Sequence, residues 1–211
     1  FTPNPELDPE RAANSELLAR FDLAGPIGDD RLLIEASVFE NRVDDFIEQI
    51  VSAPSFFGRP DPGSTRWINV DEARLRGGEL AATYQRGGLN LRLAYGQTRG
   101  EDRTTGQDLT NIPADTINAD LSYAFTSRGV LAGLRLTHAA DQDRTDVPGQ
   151  DQLLFAGYTV ADLYASWSPR AWSALRLDLN VNNLTDRYYQ RAWDQLPHPG
   201  REVILSARYR F

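Results

Sequence analysis

The chain has 211 residues, a formal net charge of -8 and 41% hydrophobic residues, and it contains no cysteine. Without cysteine there can be no disulfide, thiolate metal site or cysteine nucleophile. The basic residues are all arginines that occur singly, and the acidic excess would repel a phosphate backbone, so nucleic-acid binding is not expected. No run approaches the roughly 18 apolar residues of a spanning helix, but spanning β-strands alternate and need no such run.

Alternating apolar and polar residues divide the first half of the chain into candidate strands. Residues 15–24 place leucine, alanine and phenylalanine on one face of an extended chain and charged residues on the other. The same period of two continues through residues 31–51, 67–84 and 89–96. These four segments are predicted to form two antiparallel hairpins.

Five further segments in the second half of the chain have the same pattern. Residues 116–125 and 130–138 form the third predicted hairpin, and residues 158–167 and 174–184 form the fourth. Residues 201–211 alternate up to the final phenylalanine, with Val203, Leu205 and Tyr209 on one face. The sequence therefore predicts an all-β, antiparallel fold of nine or so strands.

The connections between these segments alternate in length. Short turns on one side of a sheet and long loops on the other are typical of outer-membrane β-barrels, and they favour an antiparallel transmembrane β-barrel over a soluble sandwich. The predicted short turns are at residues 25–30, 86–88, 126–129 and 168–172, and the predicted long loops are at residues 53–64, 97–112, 139–152 and 185–199.

Aromatic residues gather at the ends of the segments that adjoin short turns. An aromatic girdle at the membrane interface has this distribution. Tyr209 and Phe211 at the last strand, and Trp167 and Trp172 beside the fourth short turn, are the clearest candidates for interface residues. The other members of the predicted girdle are Tyr84, Tyr123 and Phe125.

The order of the turns also bears on the completeness of the barrel. Four short-turn hairpins make the first strand begin on the long-loop side and the ninth strand end on the short-turn side. Single-chain bacterial barrels have an even number of strands, with both ends on the periplasmic side. Open edges would leave backbone groups unpaired in lipid, so earlier strands are expected to precede residue 1.

Short motifs in the chain resemble those of TonB-dependent outer-membrane receptors. Residues 4–10, "NPELDPE", are similar to that family's Asn-Pro-x-Leu-x-Pro-Glu stretch, and residues 111–125, "NIPADTINADLSYAF", are similar to its Ile-Pro stretch after a surface loop. Residues 181–190, "VNNLTDRYYQ", resemble its Asn-Leu-Phe-Asp-x-x-Tyr signature, with Thr185 at the aromatic position. Similar matches are residues 69–80, "NVDEARLRGGEL", and the last fourteen residues, "HPGREVILSARYRF".

The resemblance implies a 22-stranded barrel with an N-terminal plug in the outer membrane of a Gram-negative bacterium. Residues 1–211 would supply its C-terminal nine strands, with the plug domain and the earlier strands absent. The implied partners are the TonB energy-transducing complex, which acts through the missing N-terminal part, outer-membrane lipid, and the barrel-assembly machinery, to which Phe211 would be presented. The resemblance implies uptake of a scarce ligand and no enzymatic activity.

The cargo is expected to be an iron-bearing ligand, with no intrinsic cofactor. Residues 158–169, "YTVADLYASWSP", are most similar to the haem and haemoglobin receptor branch, where a Tyr-x-x-x-Asp-x-x-x-x-Trp-x-Pro strand is common. Haem is therefore the first expectation and a ferric siderophore the alternative. Two other classes stay open: a passive porin-like channel, if no plug precedes these strands, and a soluble all-β binding module.

Five residues near the long loops are candidate ligand contacts. A neutral imidazole at His138 or His198 could ligate haem iron, although a solvated loop histidine is the more common situation. In the last long loop Tyr188, Arg191 and Trp193 gather with Tyr189, and this cluster could stack on a flat ligand or pair with its carboxylates, although it also fits an interfacial girdle.

Overall fold

A computed structural model of the chain describes residues 3–52, 63–145, 154–194 and 196–211, except for the side chains of residues 50–52. The described residues form one antiparallel sheet of nine strands in the order of the sequence. The helices among them are two single 3-10 turns, and none is long and apolar enough to cross a membrane. The strands are β1 (Arg11–Ala24), β2 (Asp30–Ser52), β3 (Ser64–Arg86), β4 (Leu89–Asp102), β5 (Thr116–Phe125), β6 (Val130–Ala139), β7 (Tyr158–Trp167), β8 (Leu175–Asn182) and β9 (Glu202–Tyr209).

The antiparallel fold and all nine predicted strands are confirmed, although β1 begins at Arg11, four residues before its predicted start. Of the predicted loops at residues 53–64 and 139–152, residues 53–62 and 146–152 lie outside the described residues. The predicted loop at residues 97–112 is wrong at its start, because β4 continues to Asp102 and pairs with β3 as far as Ala73. This extension lies beyond the apolar stretch of the strand. Its side chains lose the alternation between apolar and polar residues, and with it the signal for a strand.

The strand register gives the sheet one apolar face and one polar face. Leu121 of β5 lies opposite Leu91 on one side and Leu134 on the other, and it is 47% exposed. The adjacent residue Asp120 lies opposite Arg92 and Arg135 on the other face. A face that is apolar along the middle of the strands and left uncovered by the chain is the lipid-facing surface of a barrel, so the opposite, charged face is the lumen.

The predicted interface aromatics lie on the apolar face near the short turns. Tyr123 and Phe125 are 4.6 Å apart between ring centroids, and Tyr209 and Phe211 are 6.3 Å apart. Trp167 lies opposite Val130 and Leu177 at the same end of the sheet, and its side chain is exposed. Trp172 is 67% exposed in the turn before β8. Their positions are those of a periplasmic girdle, and contact with the lipid interface stays a prediction.

A small hydrophobic core lies at the long-loop end of the polar face. Leu109 and Ile112, from the loop between β4 and β5, pack against Val43 of β2 and Ala73 of β3. Leu109 and Ala73 are completely buried. The loop therefore folds inward over the lumen and does not extend away from the sheet.

The two faces should differ in their tolerance of charge. We expect Leu121→Arg to lower the free energy of unfolding from a bilayer by about 2–4 kcal/mol, since a charge at the membrane midplane must be desolvated. Asn118→Arg, three residues away on the polar face, should cost less than about 1 kcal/mol. Urea titration in lipid vesicles of the complete protein that carries this chain measures both changes, and equal losses would contradict the assignment of faces.

Candidate functional site

Three long loops meet over the polar face at one backbone carbonyl. The Ile112 carbonyl, in the loop between β4 and β5, accepts a hydrogen bond of 2.6 Å from Nε2 of Gln142. It also accepts one of 2.7 Å from Nε1 of Trp193. Gln142 comes from the loop after β6 and is completely buried, while Trp193 comes from the loop after β8. This shared acceptor fixes the three loops relative to one another.

Asn183 shapes the start of the last loop. It has a left-handed backbone with φ of 49°, which asparagine tolerates better than most residues. Its side-chain amide donates to the carbonyls of Arg187 at 2.8 Å and Pro199 at 3.2 Å, and its side-chain oxygen accepts from the Arg187 N–H at 2.8 Å. Its own backbone N–H donates to Asp162 at 2.8 Å. Asn183 therefore ties both ends of the loop to β7.

The far end of the same loop is held by a carboxylate and a glycine. Oδ1 of Asp186 accepts a hydrogen bond of 2.7 Å from the Arg201 N–H, just before β9. A Cβ added at Gly200 would lie 2.7 Å from that Asp186 oxygen, so the position has no room for a side chain. The "NNLTD" and "PGR" segments, recognised in the sequence as family motifs, therefore act here by shaping the loop.

Three rings stack beside this loop. Tyr158 at the start of β7 lies 4.5 Å from Tyr189, measured between ring centroids. On the other side of Tyr189, His198 stacks almost parallel to it at 5.0 Å, with an interplanar angle of 11°. Nε2 of His198 is 2.8 Å from a carboxylate oxygen of Asp194. The stack gives the outer end of the lumen a rigid aromatic wall.

A cavity of about 250 Å³ opens on the polar face beside the stack. Its volume is slightly below the roughly 300–1,000 Å³ of typical ligand pockets, so a larger flat ligand would be held by one edge. The residues that line it come from β6, β7, β8, β9 and the last loop: Thr137, Tyr158, Val160, Asp162, Asn182, Asn183, Tyr189, Arg191, Pro199, Gly200 and Glu202.

The electrostatics of the cavity favour stacking and ion pairing. Burial raises the pKa of the Tyr189 phenol and so disfavours its ionised form. Arg191 is exposed at the cavity and forms no ion pair within the described part of the chain. Its guanidinium can donate two parallel hydrogen bonds to a carboxylate. The cavity thus offers an aromatic face beside an available cation.

The structure brings together two of the five predicted ligand contacts. Arg191 lines the cavity, and His198 forms the outer layer of the stack beside it. Trp193 instead anchors the loop through Ile112 and packs 5.1 Å from Phe155. Tyr188 is 78% exposed and does not line the cavity.

His138 lies on the opposite face of the sheet. On β6 it stands opposite Ile117 and Thr159, in the outermost apolar row, and its Nδ1 is 2.9 Å from the Thr159 hydroxyl. The prediction placed it at the long-loop end, which is where it lies. However, the alternation of the strand directs it outward, away from the cavity.

Tyr158, Asp162 and Glu202 line the cavity but were not selected from the sequence. Each belongs to the polar face of its strand and lies near the long-loop end. The face of each residue and its position near the long loops could both have been predicted from the sequence.

The described residues contain no group of three or more histidine, aspartate or glutamate side chains that could hold a metal ion.

Asp115 ties the beginning of β5 to its neighbours on the outer face. Its carboxylate accepts a hydrogen bond of 2.8 Å from Nη2 of Arg99 and one of 2.9 Å from Nε2 of Gln97. Arg144 approaches it to 3.6 Å. The bond from Arg99 is the largest cause that lowers the pKa of Asp115, from 3.8 to about 2.

The fold agrees with comparisons to known proteins. The protein family described as "TonB dependent receptor-like, beta-barrel" matches residues 1–184. The chain belongs to this family. Members of the family are outer-membrane proteins of Gram-negative bacteria, so the predicted resemblance and location are both confirmed.

Similar curated proteins are considerably longer than this chain. A "Heme/hemopexin utilization protein C" of Haemophilus influenzae is 36% identical over 226 residues, which cover 100% of the chain and 31% of the relative. A "Hemin receptor" of Yersinia enterocolitica is 30% identical, again over 100% of the chain and 31% of the relative. The chain thus spans about a third of the length of these relatives.

Solved structures support the fold. The "Copper transporter OprC" has a TM-score of 0.80 and 24% identity, over 98% of this chain and 32% of that protein. The FrpB iron transporter from Neisseria meningitidis has a TM-score of 0.72 and 21% identity, over the same shares. At these identities the similarity extends to the barrel strands and carries no information on cargo.

Removing the Asn183 side chain should loosen the last loop. We expect Asn183→Ala to raise amide hydrogen exchange in residues 184–201 at least tenfold, because three hydrogen bonds are lost and φ of 49° becomes unfavourable. Asn183→Gly, which keeps the backbone conformation, should have a smaller effect. Exchange that is unchanged in both variants would show that Asn183 does not hold the loop.

The contribution of Asp115 to stability should depend on pH. Its folded-state pKa is below the ordinary value of 3.8, so its contribution is complete above about pH 4 and is lost as the pH falls toward 2. Asp115→Asn should therefore lower the melting temperature of the complete protein in detergent micelles at pH 7. The gap from the unsubstituted protein should close between pH 4 and 2, and a constant gap would contradict this assignment.

Proposed function

We propose that this chain is part of an outer-membrane receptor that takes up haem in a TonB-dependent manner. The observation that carries the proposal is its similarity, over the whole chain, to proteins named for haem and hemin: 36% identity to the Haemophilus protein and 30% to the Yersinia protein. The family as a whole consists of receptors and transporters. We infer that the bound iron ligand is cargo, that the protein holds no resident cofactor, and that it transports its ligand without altering it.

The cavity offers chemistry that suits the edge of a haem. A porphyrin is a flat, apolar ring system with two carboxylates at one edge. Tyr158 and Tyr189 line the cavity and are in ring contact with each other, and Tyr189 with His198, so a porphyrin can pack against the edge of this aromatic cluster. Arg191 beside it can pair with a carboxylate. We propose that these residues hold the ligand by its carboxylate edge on its way into the lumen.

The two histidines of the chain are poorly placed to ligate iron in the cavity. His198 uses Nε2 toward Asp194, so only its other ring nitrogen is available to a metal. His138 faces the lipid side of the sheet. We therefore propose that the aromatic cluster and Arg191 contribute stacking and ion pairing, and that Trp193 acts by anchoring the loop.

The rest of the receptor follows from the family and stays a proposal. We propose that residues 1–211 form the C-terminal nine strands of a 22-stranded barrel that encloses a plug. The TonB complex would act on the plug and drive release of the ligand into the periplasm. Phe211 and Tyr209, with Trp167 and Trp172, would lie at the periplasmic interface, where Phe211 is presented to the barrel-assembly machinery.

Growth on haem tests the function directly. In a strain that lacks the gene for the complete protein, we expect growth with haem as the sole iron source to be lost and to return on complementation. A Tyr189→Ala, Arg191→Ala double variant should weaken haem binding about tenfold, because it removes one stacking contact and one ion pair. Titration of the purified protein with haem measures this change.

The matched control is Tyr188→Ala, which removes a tyrosine next to the stack that does not line the cavity. It should bind haem as the unsubstituted protein does. Continued growth of the deletion strain on haem would contradict haem uptake. Growth lost only on a ferric siderophore would identify the alternative cargo, and haem entry that does not depend on TonB would indicate a passive channel.

A further inference from the structure

A group of arginines lies on the outward face directly beyond the apolar band. On β2 the outward residues are apolar up to Val38, after which Glu40 and Arg42 follow. On β3 they are apolar up to Leu80, and Gly78, Arg76 and Arg74 follow in the direction of the long loops. Register aligns Arg76 with Glu40 on β2 and with Arg99 on β4, and it aligns Arg74 with Arg42. We call Arg42, Arg74, Arg76 and Arg99 the arginine patch.

Within the two rows of the arginine patch the acidic side chains are fewer than the arginines, and the next row outward adds Asp44 and Glu72, which lie opposite each other. Glu40 accepts hydrogen bonds from both Arg42, at 2.8 Å, and Arg74, at 2.9 Å, so one carboxylate serves two guanidinium groups. Asp115 is shared by Arg99 and Arg144. Glu101, opposite Arg74, pairs with Arg103 at 3.3 Å.

Arg76, in the middle of the arginine patch, is exposed and has no hydrogen-bonding or ionic partner among the described residues. Its two neighbours in the same row are a carboxylate already engaged by other arginines and a further arginine. The patch therefore carries excess positive charge on a chain whose net charge is -8.

We propose that the arginine patch binds phosphate groups on the headgroups of lipids in the outer leaflet of the surrounding membrane. The patch adjoins the apolar surface formed by Val38, Leu80 and Tyr95, along which the acyl chains of the same lipid would lie. It lies at the long-loop end of the strands, which is the extracellular end in barrels of this kind. Guanidinium groups pair with phosphate through two parallel hydrogen bonds.

The geometry suits a lipid better than a soluble anion. Neighbouring strands are about 4.8 Å apart, so the four arginines cover a shallow patch two rows high across three strands, with no enclosing walls. An open surface holds a free phosphate weakly because each guanidinium stays hydrated. A lipid already fixed in the bilayer arrives with its headgroup at the correct height, so binding costs it little translational freedom.

Binding of defined lipids to the complete protein tests the proposal. The probes are lipid A with two phosphates and the same lipid A after removal of both, each added to the detergent-purified protein and counted by native mass spectrometry. We expect the phosphorylated lipid to bind at least tenfold more tightly. Equal binding of the two lipids to the unsubstituted protein would overturn the proposal without any variant.

Substitutions locate the site. Arg42→Gln with Arg76→Gln should weaken binding of phosphorylated lipid A by roughly thirtyfold, since two of the four guanidinium groups of the patch are removed. Arg92→Gln with Arg208→Gln makes the same change in net charge on the polar face and should leave binding unchanged. Arg76→Lys, which keeps the charge, should retain most of the affinity.

Each outcome of these substitutions bears on the proposal. An equal loss in the polar-face control would show a general effect of net charge and would overturn the proposal. Unchanged binding in the patch variant would also overturn it. Heat-modifiable migration in gels establishes that each variant is folded before it is measured, and the comparison of the two lipids on the unsubstituted protein stands if a variant fails to fold.

Discussion

Hydrocarbon offers no hydrogen bonds to a backbone, and the structure of this chain follows from that constraint. Each strand must pair continuously with its neighbours through the membrane, so the sheet has an unbroken antiparallel ladder from β1 to β9. The ladder fixes the face of the sheet on which each side chain lies. One face then has to be apolar to contact lipid, as at Leu121, while the other can carry charges such as Asp120 and Arg135.

Outside the membrane, backbone groups can hydrogen-bond to water, and the loops there are held by side-chain packing and side-chain hydrogen bonds. The long-loop end contains a small core around Leu109 and Ile112, together with polar anchors such as Asn183. The aromatic stack of Tyr158, Tyr189 and His198 belongs to a second small cluster, in which Tyr158 packs with Ala139 and Val160. The candidate site therefore lies where rigid strands end and loops held by side-chain hydrogen bonds begin.

The strands could be predicted from sequence because alternation is a local signal that the bilayer enforces at every position. The loops could not, because their contacts join residues distant in the chain, such as Gln142 and Trp193 with Ile112. His138 was predicted at the correct end of its strand. The alternation along β6 was also needed to assign its side chain to the outward face. Arg191 was recognisable as a loop cation, whereas its proximity to Tyr158 required the fold.

The double use of the Ile112 carbonyl also has a mechanical meaning. Trp193 cannot leave its place without breaking a bond at the same oxygen that positions the buried Gln142. A displacement of the last loop is thereby felt in the loop after β6 and in the loop after β4, although the three are far apart in sequence. The three loops are therefore coupled, and a ligand that displaces one of them must strain or break a hydrogen bond at the Ile112 carbonyl.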